Sequence, residues 1–298
     1  MHTHVPLRSI LLATNLTDIE WLFPFTCSLA EHSGAHITVL HVISAINGFS
    51  IDLAGYPYYD PRDAMAAVKQ QLEGFCSKTC AARIKAEVVA LDGTPARQIL
   101  AMANDVQADL VVMGTRAHRG IDKWMFGSVA ESVLRSSSIP VVTVGPNARR
   151  AAASGRPIKS ILFATSLMAH ATDTANVDLM LKWTERLQGH LTLLHVLPDH
   201  HKHGLAEEQD RKLREGELHA LVPERAFQQG EVEAQVRTGR PSREILAAGA
   251  HFDLITLGAQ DKPVLGRLAP EGTLYQVLAE AHCPVATLHS AHTKAAHA

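Results

Sequence analysis

The chain has 298 residues, 46% of them hydrophobic and 19% charged, which is enough apolar sequence for about two domains with buried cores. Its 28 Lys and Arg residues balance 30 Asp and Glu, and each half is near neutral (13 basic and 13 acidic residues up to position 150, then 15 and 17), which disfavours nucleic acid as a main partner. There is no apolar run of membrane-spanning length, no signal-peptide layout and no dense cysteine pattern, so we expect a soluble, cytoplasmic, reduced protein.

Short apolar runs alternate with longer amphipathic stretches in the first half of the chain. Strands are expected at 9–13, 37–43, 84–90, 109–113 and 140–144, and helices at 19–32, 61–81, 95–107 and 128–137. Strands rich in Val, Ile and Leu that are separated by helices favour a parallel sheet covered on both faces. The first half is therefore predicted to be an α/β domain.

The same pattern returns in the second half. Five segments recur in order: 9–17 with 160–168, 36–42 with 190–196, 93–100 with 239–246, 109–114 with 253–258, and 139–144 with 283–288. A period near 150 residues indicates duplicated domains, because solenoid repeats are far shorter. The predicted organisation is domain 1 at 1–145, a linker rich in Pro, Gly and small residues at 146–157, domain 2 at 158–290, and a disordered tail at 291–298.

A glycine-rich loop follows the fourth strand, which is where α/β proteins hold phosphate. It opens at Gly114 and closes at Gly127, and Ser128 is placed to cap the next helix. A phosphate there would meet free backbone N–H groups and the positive end of the helix dipole. The other interpretation is a glycine turn that only reverses the chain, and composition alone does not separate the two.

Several of these residues resemble the universal stress proteins, whose nucleotide loop has the pattern G-x2-G-x9-G-[S/T]. Gly114, Gly127 and Ser128 match the pattern, and Ala117 stands at its second glycine. The phrase ATNLT resembles the family's A-T-D-x-S turn, with Asn15 at the aspartate. The resemblance covers residues 7–145 and 158–289.

The resemblance implies two tandem doubly wound α/β domains, each with a five-stranded parallel sheet in the order 3-2-1-4-5. It also implies an ATP site, with or without Mg²⁺, in domain 1 only, and adenine is expected against the backbone of Val42. The expected site residues are Thr14, Asn15, Val42, Gly114, Arg116, Ala117, Gly127, Ser128 and Val129.

The second copy departs further from the pattern. Gly258 keeps the first glycine, but Asp261 stands at the second, and an alignment without gaps places Glu271 and Gly272 where the first copy has its final Gly-Ser pair. Carboxylates in a phosphate loop repel a polyanion, so domain 2 is expected not to bind triphosphate. A shifted loop that uses Gly272 and Thr273 is the alternative.

For three other groups of residues we favour an ordinary structural or solvent-exposed role over a functional one. His41 and His195 end equivalent strands, where neighbouring backbone is expected to satisfy them. Cys76 and Cys80 share a helix face, which favours ordinary burial over a redox pair. The histidine-rich segment 199–203 is expected to be a solvated loop, because it lacks the partner spacing of a zinc site.

The sequence predicts a non-enzymatic, nucleotide-responsive stress protein with an adenine-nucleotide sensor in domain 1 and a degenerate domain 2. Hydrolase and transferase signatures are absent from the sequence. The alternatives are an interaction scaffold with neither site occupied, a slow ATP hydrolase, and a carrier of a small apolar ligand in domain 2. Protein partners are expected but not named by the sequence.

The last strand of each copy is expected to lie at a sheet edge. Both strands, 140–144 and 284–288, are apolar and uncharged, and such an edge associates unless it is covered. We expect the two edges to pair antiparallel within one chain, as an intrachain pseudo-dimer. A homodimer that pairs each edge with a second chain is the alternative.

Overall fold

The computed structural model describes residues 7–44, 61–79, 84–115, 118–120, 123–125, 127–168, 170–199, 205–258 and 272–288. The first half contains β1 (Ser9–Thr14), α1 (Ile19–Ser33), β2 (His36–Ile43), α2 (Pro61–Thr79), β3 (Ala86–Asp92), α3 (Pro95–Asp105), β4 (Leu110–Gly114), β5 (His118–Gly120), β6 (Lys123–Met125), α4 (Ser128–Ser136) and β7 (Val141–Val144). A connecting helix, α5 (Arg149–Ala153), follows. The second half contains β8 (Ser160–Thr165), α6 (His170–Leu187), β9 (His190–Leu197), α7 (Leu205–Ala220), α8 (Glu224–Gln228), β10 (Val232–Thr238), α9 (Pro241–Gly249), β11 (Leu254–Gly258), α10 (Thr273–Glu280) and β12 (Val285–Leu288).

Ten of the described strands form one continuous sheet in the order β10-β9-β8-β11-β12-β7-β4-β1-β2-β3. Every neighbouring pair is parallel except β12 and β7, which are antiparallel. Counted within each half, the five strands of this sheet lie in the order 3-2-1-4-5. The α/β fold predicted from the sequence is confirmed, and the short pair β5 and β6 forms a separate antiparallel hairpin.

Helices cover both faces of the sheet, because side chains along each strand alternate between faces. On β1, Ile10 and Leu12 belong to the apolar layer that includes residues of α1, α2, α6 and α7, whereas Leu11 belongs to the layer that includes residues of α3, α4, α9 and α10. Each apolar layer contains residues from both halves of the chain. The two domains therefore share a continuous core on each side of the sheet.

The junction between the halves is the antiparallel pair β7 and β12, centred on Val142 opposite Ala286. Both of these side chains are fully buried. The hydroxyl of Thr143 donates to the carbonyl of Val285 at 3.3 Å, and that of Thr287 donates to the carbonyl of Val141 at 3.2 Å, so the contact is nearly symmetric about a two-fold axis. The predicted pairing of the two edges within one chain is confirmed.

The predicted linker, residues 146–157, contains a short helix. A 3-10 turn at Pro146–Ala148 leads into α5, and the side chains of Ala148 and Ala152 are buried. The Arg149 guanidinium lies 4.6 Å from the centroid of the Trp21 ring on α1. Two alanines four residues apart are too short a pattern to predict a helix, so docking onto α1, rather than local propensity, accounts for this one.

Removing the Arg149 guanidinium should loosen α5. Arg149→Ala is expected to lower the free energy of unfolding by about 0.5–1 kcal/mol, the usual size of an exposed cation–π contact. Urea denaturation followed by Trp fluorescence measures the change, because Trp21 reports on the contact directly. Arg150→Ala is the control, since Arg150 is the exposed neighbour on the same helix. Equal losses in both variants would show that the Trp21 contact contributes nothing specific.

The cysteines correct one expectation and support another. Cys27 on α1 is disulfide-bonded, so the chain is not fully reduced in this structure. Cys76 and Cys283 are free and buried, and burial raises the pKa of Cys76 to about 11 and that of Cys283 to about 12. Both remain protonated thiols near neutral pH, which favours the buried-face interpretation of Cys76. Cys80 lies outside the described residues.

Candidate functional site

The candidate site lies at the carboxyl ends of β1 and β4. Strand β1 pairs with β2 on one side and with β4 on the other, so the connections leave β1 in opposite directions at this point. Crevices form at such switch points in doubly wound sheets, and ligands bind there. Thr14 ends β1 and Gly114 ends β4, each one residue beyond the strand end predicted from the sequence.

A buried carboxylate, Asp18, organises the loop that follows β1. The Thr14 hydroxyl donates to Asp18 Oδ1 at 2.6 Å, and the backbone N–H of Asn15 donates to the same oxygen at 3.0 Å. The N–H of Leu16 in turn donates to the Thr14 hydroxyl at 3.1 Å. Asp18 is only 4% exposed, so these bonds are made out of water, where they are strongest.

Asp18 also explains the glycine at the end of β4. A Cβ atom at Gly114 would lie 2.8 Å from Asp18 Oδ2, so any other residue there would force the carboxylate of Asp18 to move. Asp18 was not among the residues predicted from the sequence. It stands at the N-cap of α1, where an Asp normally bonds the first helical turn, but here it makes no such bond and its carboxylate turns back to β1.

The side-chain carbonyl oxygen of Asn15 stabilises the turn that follows β1. Its Oδ1 accepts from the N–H of Thr17 at 3.0 Å and from the Thr17 hydroxyl at 2.7 Å, an Asx-turn arrangement. The amide nitrogen of Asn15 is thereby left as the donor of this side chain. An aspartate at this position would offer no donor, so the substitution alters the hydrogen-bonding character of the site as well as its charge.

Both copies hold a leucine in the left-handed backbone region just after the first strand. Leu16 has φ +75° and Leu167 has φ +56°. This conformation costs about 1–3 kcal/mol for a residue with a side chain, and such strain concentrates at functional sites. Both leucines pack against the core, which explains why glycine does not replace them.

The two strand-end histidines play the structural role that the sequence favoured. His41 Nδ1 lies 2.8 Å from the carbonyl of Thr14, and His195 Nδ1 lies 3.0 Å from the carbonyl of Thr165. Burial is the main cause that lowers the pKa of His195, so that ring is neutral at pH 7. Each histidine ties the second strand of its half to the end of the first.

The phosphate-type loop closes at the start of α4. Gly127 is the N-cap, with φ −62° and ψ 137°, and Ser128 is the first helical residue. The expectation that Ser128 caps this helix is therefore wrong: it lies one residue inside, and no side chain caps the helix. The first backbone N–H groups of α4, those of Ser128 and Val129, remain available to an anion.

Of the remaining predicted site residues, Val42 is described by the structure and two others are not. Val42 lies on β2, partly buried and opposite Leu91 of β3. Arg116 and Ala117 lie outside the described residues, while the hairpin of β5 and β6 occupies the middle of the loop. The structure thus brings together the ends of β1 and β4, with α4 opening beyond the hairpin.

The second copy repeats the site more closely than the gapless alignment predicted. Gly272 is the N-cap of α10, with φ −74° and ψ 143°, and Thr273 is its first residue. These two residues take the places of Gly127 and Ser128, because α10 has 8 residues where α4 has 9 and begins one residue later. The alignment of Glu271 with the turn glycine was wrong. Asp261 and Glu271 themselves lie outside the described residues.

The interior of the second site differs from the first. The hydroxyl of Thr165 donates to Asp173 Oδ1 at 2.6 Å, which repeats the bond between Thr14 and Asp18. Facing Gly258, however, is Asn176, whose buried Nδ2 has no hydrogen-bond partner among the described residues and would lie 3.4 Å from a Cβ at that glycine. The carboxylate that faces the first glycine is thus replaced by an amide donor.

The described residues contain neither a cluster of metal ligands nor a helix of membrane-spanning character. No group of three His, Cys, Asp or Glu side chains there is arranged to hold a metal ion. No described helix combines the length and hydropathy needed to cross a bilayer. Residues 200–203 of the histidine-rich segment, and the tail from residue 289 onward, lie outside the described part of the chain.

Two doubly wound domains, each with a loop bounded by glycines at its switch point, define the class of α/β fold to which the chain belongs. The profile of the Universal stress protein family matches residues 7–145 and 157–289. The chain belongs to the universal stress protein family.

Known relatives resemble one half or the whole chain. A Staphylococcus saprophyticus protein named for the same family is 28% identical over 146 residues, which is 46% of this chain and 83% of that protein. The crystal structure of a universal stress protein from Archaeoglobus fulgidus aligns with a TM-score of 0.66 and 20% identity, over 96% of this chain and 97% of that one. A smaller universal stress protein from the same organism, solved with dAMP, aligns with 46% of this chain and 96% of its own at 20% identity and a TM-score of 0.34.

Proposed function

We propose that the first half of this chain binds an adenine nucleotide, ATP, and that the protein is a non-enzymatic, nucleotide-responsive stress protein. The observation that carries the proposal is the pair of neighbouring strand ends at Thr14 and Gly114, with a helix that begins at Ser128 without a side-chain cap closing the same loop. Donors at a helix N-terminus favour phosphate, and a sheet switch point provides the room for a nucleoside.

Each part of a nucleotide would have a counterpart in the site. Phosphate would accept from the N–H groups of Ser128 and Val129, with Arg116 adding positive charge. The nucleoside would lie toward the Asn15 amide, and adenine would meet the backbone of Val42. Ala117 adds a methyl group where the family pattern has glycine, so we expect modest affinity.

Binding, rather than hydrolysis, fits the polar groups that are described. Asp18 Oδ1 and His41 Nδ1 are both engaged in holding the loop after β1. A general base must reach the proton it removes, and these atoms already have partners. Nucleotide released from purified, denatured protein distinguishes the sensor from an empty scaffold, and phosphate release distinguishes it from a slow hydrolase.

The second half is proposed as the weaker site. Gly272 and Thr273 supply a comparable helix start, so the reason for weakness lies in the charges of Asp261 and Glu271 in the loop and in Ser166 at the strand-1 position. Calorimetric stoichiometry tests this proposal directly. One ATP per chain supports restriction to the first half, and two equal sites would contradict it.

Removing the Ser128 hydroxyl should show whether ATP binds in the first half of the chain or in the second. Ser128→Ala is expected to weaken ATP binding in Mg²⁺ buffer by about 1 kcal/mol, roughly fivefold, because one hydrogen bond to phosphate is lost. Isothermal titration calorimetry measures it, and Thr273→Ala, the equivalent change on α10, is the control. Ala117→Gly is expected to tighten binding. If wild-type protein gives neither heat nor thermal shift with saturating ATP, the scaffold alternative replaces this proposal.

A further inference from the structure

A cleft lies where the two halves meet the connecting helix, and it shares no residue with the candidate nucleotide site. Its walls come from α1, from α5 and the turn after it, and from the amino ends of β11 and β12. Its lining residues include Phe25, Ile158, Phe252, Arg156, Asp253 and His282. Clefts at domain junctions are common positions for small-molecule sites.

The cleft is of a size for one ring. Its volume is about 180 Å³. A cavity of about 150 Å³ lined by apolar side chains admits benzene. The floor here is apolar, with Phe25 and Ile158 almost fully buried and Phe252 beside them. A ring with a short substituent therefore fits the space.

The charged side chains at the rim of the cleft differ in whether they already have hydrogen-bond or ion-pair partners. Asp253 Oδ2 accepts from the N–H groups of Lys159 and Ser160 and from the Ser160 hydroxyl, each at 2.9 Å, so its charge is already offset. Asp109 makes the equivalent backbone bonds in the first half, which marks this as a structural role. Arg156 is exposed, and its guanidinium forms no ion pair with any residue in the described part of the chain. The exposed ring of His282 lines the same cleft.

We propose that this cleft binds a small organic acid composed of one ring and a carboxylate. The ring packs against Phe25, Ile158 and Phe252, and the carboxylate meets the Arg156 guanidinium, which pairs with carboxylates in a bidentate manner. Such a ligand touches the connecting segment and the second half together, so it holds the two in their docked arrangement.

Phenylacetate is the probe, because it has one ring and one carboxylate. Calorimetry on the full chain should detect its binding, and phenylacetamide, which has the same shape without the charge, should bind at least about tenfold more weakly, as expected for the loss of a charge-assisted pair. L-Phenylalanine should also bind more weakly, since Asp253, the one carboxylate among the lining residues, already accepts three hydrogen bonds at Oδ2 and is a poor partner for the ligand's ammonium group. Equal binding of phenylacetamide, or tighter binding of L-phenylalanine, overturns the proposal.

Three variants locate the site. Arg156→Gln should weaken phenylacetate binding at least tenfold, and Ala250→Trp, at an exposed helix end lining the cleft, should abolish it by filling the space. Arg150→Gln removes a nearby exposed arginine that does not line the cleft and should have no effect. Unchanged binding in the first two variants, or an equal loss in the third, refutes the site. ATP affinity should be the same in all three, so failure here is separable from failure of the nucleotide site.

Discussion

Replacing Val142 by Lys is expected to lower the free energy of unfolding of the full chain by about 3–5 kcal/mol, the range for a buried charge left without a partner. Val142 is fully buried at the centre of the seam, where it lies opposite Ala286. The ammonium group would have to enter an apolar layer contributed by both halves. Urea denaturation at neutral pH measures the loss.

The control for this experiment is Val142→Thr, which keeps the branched shape and adds only a hydroxyl. It should cost about 1–3 kcal/mol, the range for a buried polar group without a partner. Because each apolar layer spans the seam, both halves should lose stability together. A Lys variant as stable as wild type, or one in which only the second half melts early, would show that the seam does not couple the halves in solution.

Removing the Asp18 carboxylate should damage both stability and binding. Asp18→Ala deletes the acceptor for the Thr14 hydroxyl and for the Asn15 N–H, both in a buried setting. At about 1 kcal/mol for each bond and more for orphaned donors, the expected loss of stability is about 2–4 kcal/mol. The loop after β1 then loses its fixed geometry, so ATP affinity should fall at least tenfold. Urea denaturation and calorimetry give the two values.

Two variants separate loop geometry from general destabilisation. Asp18→Asn keeps an acceptor oxygen for Thr14 and should retain most of the ATP affinity. Asp173→Ala removes the equivalent bond to Thr165 in the second half, and should cost similar stability without changing ATP binding in the first. Equal effects of Asp18→Ala and Asp173→Ala on ATP binding would contradict the assignment of the nucleotide to the first half.

The sequence predicted the elements with strong periodic signals and missed those that depend on tertiary contacts. Strand and helix positions in the first half differ from the structure by a few residues at most. The apolar, uncharged strands 140–144 and 284–288 correctly predicted the seam, because an open edge of that kind must be covered. Helix α5 was missed, because only docking onto α1 stabilises so short a segment.

The errors at the candidate site have a similar origin. An Asp before a helix predicts an N-cap, and nothing in the sequence shows that Asp18 instead turns back to Thr14. The gapless alignment of the two loops was wrong because α10 starts one residue later than α4, and helix starts are poorly fixed by sequence. Gly114 was identified as a loop glycine, but its physical reason, the close approach of Asp18, required the coordinates.

The antiparallel seam makes the two sites face opposite ways. The five strands that the first half contributes to the large sheet run in one direction and the five of the second half run in the other, so the carboxyl ends of β1 and β8 lie on opposite rims of that sheet. Five strand spacings of about 4.8 Å, roughly 24 Å, also separate β1 from β8 across the sheet. A globular partner bound over one site cannot contact the other site at the same time. Any coupling between the two sites therefore passes through the shared strands and the helices packed on them. A partner that contacts both sites must extend around the rim of the sheet.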